Sequence, residues 1–194
     1  MARPESSPSQ GIVPDGRTVA YGGVGGLLSF VIGYALTYAV TGQQIANSFA
    51  ARILEIATGD PGTWKLVGWV FFNAHYVDTQ IPGLFGSSAV NLVGRGDTFP
   101  GWLFLVPPVL LVLAGALVAV ASRVEGVLPS AVGGATATVA YLPLSVLGAF
   151  VFAISVGDAN AGPTLATAIL LAGIVYPLVF GGVGGALGSL ASGR

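Results

Sequence analysis

Four long apolar runs alternate with polar segments along the chain. They cover residues 18–41, 101–122, 127–156 and 163–191, and none of them contains Asp, Glu, Lys, Arg or His. A helix that crosses the roughly 30 Å hydrocarbon layer of a bilayer needs about 20 consecutive apolar residues. The pattern therefore predicts an all-α membrane protein with four transmembrane helices.

The connections between these runs differ sharply in length. Residues 122–126 join the second and third runs, and residues 157–162 join the third and fourth. Links this short place consecutive helices side by side and antiparallel, so we expect an antiparallel bundle. The first connection, residues 42–100, is about sixty residues long and is the only part large enough to form a structure outside the bilayer.

The long connection contains two further helical patterns. Apolar side chains recur at helical spacing in its first part, which predicts an amphipathic helix: Ile45, Phe49, Ile53 and Ile56. After the turn signal at 59–62, residues 64–77 are strongly aromatic but too short to span, which favours an interfacial or re-entrant helix. A fifth span through residues 64–92 is the alternative, but it would have to bury polar groups such as Asp78 and Asn91.

Residues 1–17 contain three prolines and three serines, and we expect them to form a disordered tail. A secretory signal peptide is the competing interpretation. The apolar run at 18–41 is longer than the roughly 7–15 residues of a cleavable core, so we read it as the first span.

The distribution of basic residues predicts an orientation. If both termini are cytoplasmic, four arginines fall on the cytoplasmic side: Arg3, Arg17, Arg123 and Arg194. Lys and Arg resist translocation in short loops, so this arrangement is preferred. We expect a multi-pass protein of the cell membrane with residues 42–100 outside.

Glycine clusters mark the cytoplasmic halves of the predicted spans. YGGVGGLL at 21–28 nearly repeats as FGGVGGAL at 180–187, and residues 131–137 read AVGGATA. Small residues let helix backbones approach closely in lipid, so we expect tight packing there. The predicted packing residues are Gly22, Gly23, Gly25, Gly26, Gly133, Gly134, Gly181, Gly182, Gly184 and Gly185.

Two consequences follow from this packing layer. Leucine at Gly23 or Gly182 is expected to destabilise the bundle, and the aromatic outer halves are expected to open as a cone under a lid formed by residues 42–100. A phosphate-binding loop is the functional alternative. It is disfavoured because the clusters lack the Lys-Ser/Thr pair that holds nucleotide phosphates.

Composition removes several classes of function. The chain is 54% hydrophobic and 8% charged, against about 25% charged in globular domains, which disfavours a soluble protein. A net charge of −1 without basic clusters gives no nucleic-acid footprint. Cysteine is absent, which excludes disulfides and thiolate chemistry, and no motif calls for a cofactor.

One short strip carries candidate chemistry. His75 and Asp78 would share a helix face at i, i+3 spacing and could act as two metal ligands or a proton-accepting pair, with Asp60, Asp97 or Asp158 as possible third ligands. Asn73 belongs to the same strip. A hydrogen-bonded anchor that fastens the lid helix to the bundle is the preferred interpretation.

Neither a nucleophile motif nor an ionisable residue inside a span is present, so the sequence favours a non-enzymatic protein. Two hypotheses remain. The first is a structural or accessory subunit that contacts membrane lipids and a protein partner or further copies of itself. The second is a small transporter or pore for an uncharged or lipid-like solute.

The polar Pro/Ser tail, GWVFFNAHYVDT at 68–79 and the Gly/Ala/Val-rich runs resemble uncharacterised four-helix membrane proteins of halophilic archaea. The outer segment departs from the halophilic norm, because it is not strongly acidic. The resemblance implies localisation in a membrane and carries no activity.

Overall fold

A computed structural model of the chain describes residues 12–83, 86–93, 98–156 and 159–193. Within those ranges the protein is mostly helical. Four helical segments are long and apolar enough to cross a membrane: Gly16–Ala46, Gly101–Ser122, Val127–Val151 and Leu165–Ala191. Most of the predicted tail, residues 1–11, lies outside the described residues.

The first long segment is one continuous helix, α1 (Gly16–Ala46). It begins where the Asp15 carboxylate accepts a hydrogen bond from the Thr18 amide at 2.8 Å, which satisfies one of the free N–H groups of the first turn. Hydrogen bonding from the Thr18 side chain, and after it from the Thr18 amide, lowers the pKa of Asp15 below its ordinary value.

A short amphipathic helix, α2 (Phe49–Thr58), follows α1 directly. Ser48 caps its first turn by accepting from the Ala51 amide at 3.2 Å, and Gly59 ends it in the left-handed conformation at φ 79°. Ala51 is buried, whereas Phe49 and Ile56 are 78% and 84% exposed. Phe49 and Ile56 therefore point away from the rest of the chain, whereas Ala51 and Leu54 pack toward it.

Helix α3 (Thr63–Asn73) is short and almost wholly buried, from Leu66 to its last residue. Eleven residues rise about 16 Å, roughly half of a bilayer's hydrocarbon layer. The chain then turns at Tyr76, which has a φ of 58°, and continues as a strand. The alternative of a fifth span through residues 64–92 is therefore wrong.

The expectation of an all-α chain is also wrong, because two strands of the long connection and two strands between the third and fourth long helices form a four-stranded antiparallel sheet. Its strands are β1 (Thr79–Gly83), β2 (Gly86–Val90), β3 (Ile154–Val156) and β4 (Ala159–Pro163), in the order β2-β1-β4-β3. Thr79 pairs with Pro163, which joins two hairpins about 84 residues apart in sequence. We call this side of the molecule the sheet end.

The other three long segments contain irregular turns. The second begins with a 3-10 turn (Gly101–Leu105) and continues as α4 (Val106–Ser122), whose prolines fall in its first turn, where a missing N–H costs little. The third consists of α5 (Val127–Ala135) and α6 (Thr138–Val151), and it ends at Val151 rather than near residue 156, because β3 follows.

The fourth long segment is helical throughout, but its middle is widened. After the short α7 (Leu165–Thr167), residues Ala168–Val175 and Pro177–Gly181 form π-helical turns, and α8 (Gly182–Ala191) completes it. Pro177 has no N–H to donate to a preceding carbonyl, which accounts for part of the widening.

The side opposite the sheet, which we call the glycine end, brings several glycines against neighbouring helices. A Cβ at Gly22 would overlap the Thr136 side chain, and one at Gly26 would overlap the Ala137 carbonyl. Backbone overlap would likewise follow at Gly134 (against Gly181), Gly181 (against Gly134), Gly184 (against Val112) and Gly185 (against Ser130). At these positions only hydrogen fits between the helices.

The remaining glycines of the predicted packing layer have more room. Cβ atoms at Gly25 and Gly133 would lie 3.3 Å from Ala114 Cβ and 3.1 Å from Thr18 Cγ2. A Cβ at Gly182 would come no closer than 3.6 Å to the Ala131 oxygen, and at Gly23 no atom lies within 4 Å. The expectation that leucine at Gly23 disrupts the bundle is therefore wrong, because Gly23 faces outward.

Candidate functional site

The centre of the molecule at the sheet end is filled by α3. Phe71 and Tyr141 both pack edge-on against Phe30 of α1, with ring centroids 5.0 and 5.2 Å apart. Gly148 of α6 leaves room for Phe72, whose ring lies 3.0 Å from the position of a Cβ there. The predicted lid is thus a half-helix inserted between α1 and α6, and the predicted outward cone is occupied.

The C-terminus of α3 is buried, so its last carbonyls need donors other than water. The Phe72 carbonyl accepts from the amides of His75 and Val77 at 2.9 and 3.1 Å. The Asn73 carbonyl accepts from the Tyr76 amide and the Asn91 side chain. We call this turn, residues 73–77, the α3 tip; all of its residues except Tyr76 are buried.

His75 completes the same set of hydrogen bonds with its ring. The Phe71 carbonyl can only accept, so the ring nitrogen 2.9 Å away, Nδ1, carries the proton. The other ring nitrogen, Nε2, lies 2.7 Å from the Tyr141 hydroxyl of α6, which donates to it when the ring is neutral. The geometry places a proton on Nδ1, and in the neutral ring this leaves Nε2 as the acceptor for Tyr141.

Burial also favours the uncharged form of the His75 ring. The side chain is fully buried, and this lowers the pKa of His75 from 6.5 to about 4, although the bond to the Phe71 carbonyl acts in the opposite direction. His75 is therefore uncharged at neutral pH. It links α3 to α6 as a hydrogen-bonding group, without charge.

Asn73 binds the α3 tip to the segments that follow it. Its Nδ2 donates to the Val77 carbonyl at 2.7 Å and to the Thr79 hydroxyl at 3.2 Å, and its Oδ1 accepts from the Leu92 amide at 2.8 Å. A fully buried amide needs such partners for both its N–H groups and its oxygen.

Asp78 does not join His75 as the i, i+3 pattern predicts. The helix ends at Asn73, and the positive φ of Tyr76 redirects the chain before Asp78 is reached. The Asp78 carbonyl accepts from the amide and hydroxyl of Thr164, both at 3.0 Å, which fixes the start of the fourth long segment. The helical spacing behind the metal-ligand hypothesis is thus not present.

The possible third ligands do not restore a metal centre. The Asp60 carboxylate accepts from the Gly62 amide at 2.8 Å, ahead of α3. Asp97 and Asp158 lie outside the described residues. Among the described residues, no three His, Cys, Asp or Glu side chains are grouped as a metal site requires.

Sequence reasoning did not predict which residues of the long segments meet the α3 tip. Tyr176, between the two π-helical turns of the fourth segment, directs its hydroxyl to the Ala74 carbonyl at 3.4 Å, and its ring lies 5.0 Å from that of His75. Trp69 and Lys65 donate to the Phe152 and Ala153 carbonyls at 2.8 and 3.0 Å. The available signal was a tyrosine in an aliphatic run, which must find a polar partner when buried.

Taken together, the α3 tip is a satisfied, uncharged hydrogen-bond network enclosed by aromatic rings. In the described part of the chain, no buried side-chain nitrogen or oxygen lacks a partner. Such a network stabilises one arrangement of three elements: α3, α6 and the fourth long segment.

Comparison with known proteins gives a family match. The model of a family of unknown function, DUF7978, matches residues 1–192. No curated protein and no solved structure matches the chain. The resemblance to proteins of halophilic archaea stays a prediction. Because the match covers almost every residue, the chain belongs to the DUF7978 family of unknown function.

Proposed function

We propose that this protein is an integral protein of the cell membrane, with four transmembrane helices in an antiparallel bundle, and that it serves as a non-enzymatic structural or accessory subunit of a membrane complex. Both termini face the cytoplasm, and the sheet end lies outside. The observation that carries the proposal is that α3 fills the space between the long helices at the sheet end with buried aromatic side chains.

This packing favours a scaffold over a conduit. A path for a solute needs a cavity or a row of exchangeable polar groups along the bundle. At the sheet end the axis is occupied by Phe71 and Phe72, and at the glycine end backbones approach too closely for a side chain at Gly185. The buried hydroxyls and amides described above are bonded to protein groups.

The exposed surface supports a lipid or protein environment. Large apolar side chains are exposed along all four long segments, including Leu117 at 69% and Leu190 at 63%. A water-soluble protein rarely leaves apolar patches of that extent. The exposed Phe49 and Ile56 of α2 place a further apolar stripe beside the sheet, where it can lie in the membrane interface or against a partner.

Native mass spectrometry of the protein, extracted gently from the membrane of its source organism, tests the subunit assignment. We expect a stoichiometric partner protein to remain bound. Serine at Phe49 and Ile56 is expected to weaken that association, whereas serine at Leu147 and Leu190, two exposed positions on long helices, serves as the matched control. A bare monomer would contradict the assignment.

The topology can be tested separately, because the chain contains no cysteine and single cysteines give an unambiguous signal. A membrane-impermeant thiol reagent should reach cysteine at Thr58 or Ser155 from outside intact cells, and cysteine at Ser192 only after lysis. Labelling of Ser192→Cys from outside would overturn the orientation.

A small transporter or pore for an uncharged or lipid-like solute is the second candidate. Two observations favour it: a half-helix that ends among the long helices, and π-helical turns beside its tip in the fourth segment. Broken helices and π-bulges recur at transport and other functional sites. Solute flux in liposomes that contain the purified protein, absent in empty liposomes, would support this candidate over the first.

A further inference from the structure

A surface groove runs between α1 and α4 on the side of the bundle away from α3. Its floor is made of small side chains, Gly25, Ser29 and Ala114, and its cavity is about 350 Å³. The floor is shallow because the two helices approach closely, with Ala114 Cβ only 3.3 Å from the Cβ position of Gly25.

The groove is lined almost entirely by apolar side chains. Leu28 and Ile32 of α1 form one wall and Leu113 and Leu117 of α4 form the other, and all four are more than two-fifths exposed. The Ser29 hydroxyl in the floor donates to the Leu110 carbonyl at 3.2 Å, so it is already paired within the protein. An occupant must therefore be apolar along this length.

The length of the groove is that of one membrane leaflet. It extends along α1 from Tyr21 to Ile32, which is about 17 Å at 1.5 Å per residue. Half of the hydrocarbon layer of a bilayer is about 15 Å. A single extended acyl chain of one leaflet matches this span, whereas a second transmembrane helix would continue past it.

One end of the groove carries a positive charge. The Arg17 Nε donates to the Tyr21 hydroxyl at 2.9 Å, and its guanidinium carbon lies 5.3 Å from the centre of the Tyr21 ring. Tyr21 lines the groove, so the exposed guanidinium is held at its mouth. The bond uses one of five N–H donors and leaves four for a phosphate.

We propose that the α1–α4 groove binds an anionic phospholipid, with one acyl chain along Gly25 and Ala114 and the phosphate at Arg17. This inference rests on the membrane placement proposed above and is independent of any protein partner. The glycine end would then contact the cytoplasmic leaflet, where anionic lipids attract basic side chains.

The purified full-length protein in detergent, mixed with phosphatidylglycerol or phosphatidylcholine and examined by native mass spectrometry, tests the proposal. We expect phosphatidylglycerol to be retained about fivefold more than phosphatidylcholine, the ratio typical of one basic side chain at a lipid surface. Arg17→Gln should remove this preference. Ala121→Phe should reduce retention of both lipids, because Ala121 lines the groove near Tyr21.

Two matched variants serve as controls. Arg123→Gln removes a charge at the same end, but Arg123 lines a different hollow with Asp15 and Thr18. Ala20→Phe adds a ring on an exposed face of α1 outside the groove. Both should retain phosphatidylglycerol as the wild-type protein does, and unchanged thermal unfolding of Arg17→Gln would show that its fold is intact.

Equal retention of the two lipids by the wild-type protein would overturn the proposal, and so would equal losses in Arg17→Gln and Arg123→Gln. Failure of the subunit assignment would give a different result. Spectra of the natively extracted protein would then show no bound partner protein, while the purified protein would still prefer phosphatidylglycerol. Recovery of the chain from the soluble fraction would instead remove the membrane placement itself.

Discussion

The single histidine of the chain makes the stability of the fold depend on pH in a defined window. His75 has a pKa of about 4 in the folded protein, against 6.5 when exposed, because burial disfavours the charged ring. Between these two values the unfolded chain binds more protons than the folded one. Stability is therefore fully present above pH 6.5 and falls as the pH is lowered toward 4.

The size of the effect follows from the shift. At about 1.4 kcal/mol per pKa unit, the fold is expected to lose about 2 kcal/mol between pH 7 and pH 5, and about 3 kcal/mol once pH 4 is reached. That loss is a large fraction of the stability of a typical domain. Protonation would also remove the acceptor at Nε2 that the Tyr141 hydroxyl uses.

Unfolding of the detergent-solubilised protein, followed by tryptophan fluorescence at a series of pH values from 7 to 4.5, measures this dependence. The chain has one histidine, so His75→Asn serves as the control that does not titrate in this window. The difference between the two curves should grow steadily below pH 6.5. Parallel curves would show that His75 is not held in a buried, neutral state at the α3 tip.

Three further substitutions test the packing of the α3 tip and the glycine end. Tyr141→Phe removes a buried donor and should lower the free energy of unfolding by about 1–3 kcal/mol in a denaturant titration, with the exposed Tyr38→Phe as its neutral control. Gly185→Ala should destabilise the fold by about 1–3 kcal/mol, because a Cβ there would overlap the Ser130 backbone. Gly23→Ala, which faces open space, should be neutral or slightly stabilising. Equal effects of the two substitutions in thermal unfolding would contradict the close approach of the helices at Gly185. Asn73→Leu removes three side-chain hydrogen bonds and should raise the protease sensitivity of residues 79–92, and unchanged cleavage would argue against its anchoring role.

The long apolar helices could be predicted from the sequence because each is a local property of one run of residues. The sheet could not be predicted in this way. Strands β1 and β4 read TQIPG and ANAGP, with a proline in each and few of the β-branched or aromatic residues that mark strands. Their pairing joins positions about 84 residues apart, and no local pattern encodes it.

The candidate site, too, could be predicted from the sequence only in part. The sequence singled out Asn73 and His75, because polar groups within an aromatic stretch are unusual. It did not indicate that His75 would meet Tyr141, which is 66 positions further along the chain. Helical spacing suggested Asp78 in its place, since the pattern contains no sign that the helix stops at Asn73.

The insertion of α3 between the long helices has a consequence for biosynthesis. Its partners on α6 are made later than α3 itself: Tyr141 leaves the ribosome 66 residues after His75, or about 3–13 s later at usual elongation rates. During that interval α3 can pack against Phe30 of α1, but the part of its aromatic face that α6 later covers has no native partner and is open to aggregation. We therefore expect newly made chains to depend on a holding factor or on the translocation machinery until the third long helix arrives.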